Sequence, residues 1–148
     1  MIAQKPDLVV VDRNDVPLLA VVVDNRKNLN SDKAVEFRRD VLPDLGGAYT
    51  PYFMLVSQDA AYLWANNKET PLGDPPTEHV AMGDILRNYA SNGTTNGRLT
   101  RGMLELLVER WLNGLIVGQP VSGPFLPESL RPMIRQAVGG DIRRGPER

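Results

Sequence analysis

The chain has 148 residues, 42% of them apolar and 24% charged, which is enough for one domain with a real core. Seventeen Lys and Arg stand against eighteen Asp and Glu, a net charge of −1, so any nucleic-acid contact has to use a local patch and not a global field. Cysteine is absent, which excludes disulfides and thiolate zinc sites, and His79 is the sole histidine, which argues against imidazole metal cages and a Ser-His-Asp triad within one chain.

In chain order, the first residues run directly into Pro6 and Asp7 without a signal-peptide layout, and the longest apolar run, at 16–23, is too short to span a bilayer. The expectation is a cytoplasmic protein without a membrane partner. "LVVVD" (8–12) and "PLLAVVVD" (17–24) are β-branched runs separated by the polar "RNDV", which predicts an antiparallel hairpin. A helix follows, with Ser31 or Asp32 as N-cap and Ala34, Phe37, Val41 and Leu45 on one face. Pro43 and the Gly46-Gly47 pair end or bend it. "YFMLVSQ" (52–58) and "AYLWA" (61–65) predict a second pair of strands.

Residues 1–66 thus read β-β-α-β-β, and the expected class is α/β (α+β), a mixed central sheet flanked by helices. Residues 67–148 read as a proline- and glycine-rich connector and a mainly helical extension packed on the same domain. Within it a short helix is expected near 82–89, and another at 129–138 is stopped by Gly139-Gly140. Between them lies the strongest helix, starting near Thr100. Its apolar stripe is Met103, Leu104, Leu107, Val108, Trp111, Leu112, Leu115 and Ile116. That stripe reads as core, and its breadth also allows a homodimer through residues 103–116. Trp64 and Trp111 read as core or interface anchors, His79 as a surface residue and the tail "DIRRGPER" as frayed.

The hairpin carries the candidate chemistry. Asp7 opens its first strand and Asp24 closes its second, so pairing about residues 13–16 brings both carboxylates to one end of the sheet. Alternation projects Asp24 and Arg26 to one face and Asn25 and Lys27 to the other. Two ionised acids a few ångströms apart repel by about 4 kcal/mol at an effective dielectric near 20. A divalent cation reverses that sign, and an all-oxygen ligand set suits Mg²⁺ or Mn²⁺. Such an ion beside a fixed cation is the equipment for metal-assisted phosphodiester hydrolysis.

Pro6-Asp7, sixteen intervening residues and then Asp24-Asn25-Arg26, on two consecutive β-branched strands, resembles the motif of the PD-(D/E)xK nuclease superfamily. The helix and the "TPYFMLVSQDAAYLW" strand pair are similar to small bacterial restriction-endonuclease-like proteins related to the N-terminal domain of the type I restriction subunit. The resemblance covers roughly residues 5–66. It implies a restriction-endonuclease-like fold and Mg²⁺-dependent DNA endonuclease activity. Asp7, Asp24 and Arg26 would be catalytic, and Asp7, Asp24 and the Asn25 carbonyl would hold the metal.

This chain departs from the family at two places. Arg26 stands where the family expects lysine, and a permanently charged guanidinium cannot serve any role that needs deprotonation. Only six residues precede Asp7, where the family normally has a helix and a strand. Both departures favour the alternative, an inactive relative that keeps the fold as a DNA- or protein-binding or dimerisation module. Lys27, Lys33, Arg38 and Arg39 are the candidate DNA contacts; Glu36 and Asp40 are interleaved with the last three, as on a solvated helix face.

Overall fold

The computed structural model describes residues 6–25, 29–41, 50–89, 99–118 and 126–144. The expected hairpin forms from strands β1 (Leu8–Val11) and β2 (Pro17–Val23), antiparallel with Leu8 opposite Val21. Asp12 sets the turn: its Oδ1 accepts the N–H groups of Asn14 (2.8 Å) and Val16 (3.0 Å), and Asp15 takes a positive φ of 64°. All of β2 after Pro17 is buried, as expected of a strand with neighbours on both edges and cover on both faces.

Helix α1 (Ser31–Val41) crosses from β2 to the parallel strand β3 (Tyr52–Val56), paired from Leu19↔Tyr52 to Val23↔Val56. Its cap is Asn30, one residue before the expected Ser31. The Asn30 Oδ1 accepts the Lys33 N–H at 2.9 Å, and its backbone carbonyl takes the Ala34 N–H at 2.8 Å. Leu45, Pro43 and the Gly46-Gly47 stop lie outside the described residues. A tight turn built on buried Ser57 leads into β4 (Ala60–Trp64), antiparallel to β3.

The mixed sheet has six strands in the order β5-β4-β3-β2-β1-β6, so the α/β class stands. Residues beyond 66 supply both edges. The first is β5 (Glu78–Ala81) on β4, inside what reads as a polar connector. The second is β6 (Asp141–Arg144) on β1, where the sequence predicts a frayed tail. Both are four residues long and no more than half-buried, so neither carries a hydrophobic period; pairing to a finished neighbour creates them. Gly140 makes the β6 approach feasible, because a Cβ there would sit 1.9 Å from the Val11 carbonyl oxygen.

Helices α2 (Gly83–Tyr89), α3 (Arg101–Ile116) and α4 (Arg131–Ala137) contribute to the larger core on one sheet face, and α1 covers the smaller one. Thr100 caps α3, its Oγ1 accepting the Met103 N–H at 3.2 Å. The expected stripe from Leu104 to Ile116 is buried in the chain's own core, while Met103 stands partly exposed. The stripe's breadth is therefore accounted for without a second copy. The expected last helix begins instead as a 3₁₀ turn (Glu128–Leu130), with α4 following directly. The Glu78 carboxylate of β5 accepts the Ser129 N–H (2.9 Å) and the Glu128 N–H (3.3 Å), tying that turn to the sheet edge.

On the α1 face, Trp64 and Phe53 pack at 5.8 Å between ring centroids beside Arg38, whose guanidinium lies 5.3 Å from the Trp64 centroid. Arg38 is fully buried, which corrects both sequence readings of it: it is neither a phosphate contact nor part of a solvated face. Its Nε and Nη2 donate to the Asn67 Oδ1 at 3.1 and 2.9 Å. Nη2 also reaches the Thr70 carbonyl at 3.1 Å, and Nη1 the Pro71 carbonyl at 3.0 Å. The charge is used to fold the 66–74 segment over the sheet.

Tyr62 is buried on the same face. Its hydroxyl donates to the Leu29 carbonyl at 3.0 Å, and its ring stacks on exposed His79. Burial, then the charge of Asp59, raises its pKa above the ordinary phenol value. A folded-state pKa above the unfolded one means stability that is complete below the unfolded value and lost as pH rises through the folded value. Urea midpoints measured from about pH 8 to about pH 11 should therefore fall more steeply for the wild type than for Tyr62→Phe. Parallel curves would refute this origin of alkaline sensitivity.

Candidate functional site at the carboxyl end of the parallel strand pair

β2 and β3 are the parallel pair, and their carboxyl ends deliver Asp24 and Asn25 beside Ser57 and Gln58. Antiparallel β1 begins at that same end and contributes Asp7. The start of α3 arrives from far along the chain with Leu99, Thr100 and Arg101. The topology thus brings Asp7 and Asp24 to one end of the sheet, as the hairpin spacing predicts.

The Asp7 side chain is nearly fully buried and both of its oxygens face donors. Oδ2 accepts the Val23 N–H at 2.7 Å, and Oδ1 is ion-paired with the Arg101 Nη2. The Asp7 N–H donates to the Val21 carbonyl at 2.8 Å, while the Arg101 Nε donates to the Val23 carbonyl at 3.1 Å. Asp7 and Arg101 together satisfy both backbone groups of Val23, where β1 no longer runs as a strand beside β2. They extend the ladder with side chains and pin the first turn of α3 to the sheet.

Asp24 is half-buried, and its N–H donates to the Val56 carbonyl at 2.9 Å, continuing the β2–β3 ladder. The Asn25 side chain donates through Nδ2 to the Leu99 carbonyl, and the Leu99 N–H donates to the Gln58 Oε1 at 2.7 Å. Asn25 and Gln58 thereby hold the entrance to α3 from two sides.

Arg26 and Lys27 lie outside the described residues. Lys33 and Arg39 are exposed on α1, with Asp32, Glu36 and Asp40 exposed among them. Sequence reasoning missed Arg101 and Gln58. Arg101 is the cation that meets Asp7, at a separation of 94 residues that leaves no local pattern to read.

The Asp7 carboxylate is already engaged by a backbone N–H and a guanidinium, and the positive charge of Arg101 opposes the entry of a second cation beside it. Among the described residues no three or more acids or histidines are grouped so that they could hold a metal ion. No described helix is long and apolar enough to cross a membrane. No family model, curated protein or solved structure matches the chain.

Proposed function

We propose that this chain is a non-catalytic relative of the restriction-endonuclease-like proteins that uses the scaffold as a DNA-binding module. The observation that supports the non-catalytic half is the engagement of Asp7. Its carboxylate is bonded to the Val23 N–H and to Arg101. What the nuclease reading takes for half of a metal site works here as a structural joint between β2 and α3. The resemblance supplies DNA as the partner, with exposed Lys33 and Arg39 as candidate phosphate contacts.

One observation favours the rival, a Mg²⁺- or Mn²⁺-dependent endonuclease using Asp7, Asp24 and Arg26: the topology does bring the two acids to one sheet end. Plasmid DNA incubated with either metal and with wild type or Asp24→Ala separates the two. The expected result is intact plasmid with both proteins, and calorimetric titration with Mg²⁺ without heat of binding. Nicking that requires the metal and disappears in Asp24→Ala would establish the nuclease instead. Binding is read by fluorescence anisotropy on duplex DNA, where affinity should fall with salt and Lys33→Ala should weaken it. Salt-independent or undetectable binding would remove DNA as the partner.

A further inference from the structure

We infer that β6 is an ionic latch, an edge strand whose Arg144 end is held by charge pairs and released by salt without unfolding the domain. This rests on the other edge of the sheet and is independent of the reading of Asp7. Three of the four β6 residues are exposed, and Ile142 alone is packed, partly buried, against the larger core. Apolar burial therefore contributes little to holding the strand, and its ladder to β1 is four residues long.

Charge pairs do the remaining work, and they are placed unevenly. Gly140 is fixed at one end of the strand, its N–H bonded to the Ala137 carbonyl at 2.8 Å and its Cα against the Val11–Asp12 backbone. Arg144 is at the other end, opposite Leu8. Its guanidinium reaches Glu109 at 2.6 Å and Glu105 at 3.5 Å, one turn apart on α3 and each about three-quarters buried. Arg143 pairs with Asp15 of the β1–β2 turn. Breaking these pairs frees the distal end while Gly140 stays seated, so opening pivots at Gly139–Gly140. The outer edge of β1, one leucine and three valines, then becomes the open edge of the sheet.

Native-state hydrogen exchange tests this on the intact chain. Raising salt from about 0.1 M to about 1 M shortens the Debye length from about 10 to about 3 Å. Protection of the β6 amides that face β1 should then fall about tenfold, the size expected of three modest ion pairs, while Val21 and Leu55 in the central strands stay protected. In the double variant Glu105→Gln, Glu109→Gln the same amides should already exchange faster at low salt and lose most of the salt dependence. Arg144→Gln, a change at an exposed residue, should behave alike and serves if the double variant does not fold. The latch is overturned if protection of these amides is insensitive to salt in the wild type. It is equally overturned if the central strands lose protection in step, or if the variants keep the full salt response.

Discussion

Arg38→Ala is expected to lower the unfolding free energy by about 4 kcal/mol, among the larger single-site losses available to this chain. The guanidinium is completely enclosed and donates to the Asn67 side chain and to the carbonyls of Thr70 and Pro71. Truncation leaves those acceptors buried without their donor, each at about 1–3 kcal/mol, and opens a void beneath Trp64. Arg38→Met restores much of the volume but none of the donors, so it should recover only a minor part of the loss. Urea denaturation of the three proteins checks both statements. A loss under about 1 kcal/mol for alanine would mean that the 66–74 segment does not depend on this residue.

Asp7→Ala is expected to cost about 2–3 kcal/mol. The change strips the Val23 N–H of its acceptor and leaves Arg101 without its carboxylate. Breaking a fully buried pair would cost more, but the Arg101 side chain is 45% exposed and can turn to water, which limits the damage. Asp7→Asn keeps an oxygen for Val23 and should cost only about half as much. A double-mutant cycle with Arg101→Ala isolates the pair. The two changes should fall short of additivity by about 1 kcal/mol or more, whereas additivity within about 0.3 kcal/mol would show that Asp7 and Arg101 stabilise the fold independently.

The two sites share a lesson about charge in this protein. Arg38 and Asp7 are two of the residues for which the sequence suggests external partners, DNA phosphate and metal respectively. Both are turned inward to satisfy backbone groups at places where regular pairing stops. Sequence position alone does not distinguish a cation facing solvent from one facing a loop that folds back over it. Arg38 and Arg39 are adjacent on α1, and the helical turn of about 100° between them buries one and exposes the other.

By itself the sequence determined the elements whose signal is local and periodic. These are the hairpin about residues 13–16, the helix starting near Ser31, the β3–β4 pair and the apolar helix starting near Thr100. β-Branched runs and 3.6-residue stripes encode those directly, and the α/β class follows from their order. Only the tertiary structure decided the two edge strands. β5 and β6 lack a period of their own and exist because β4 and β1 present finished edges to pair with. It also decided the fate of Asp7. Its carboxylate is paired with Arg101, brought by the first turn of α3 onto the end of β2, and contacts at that chain separation are set by packing alone.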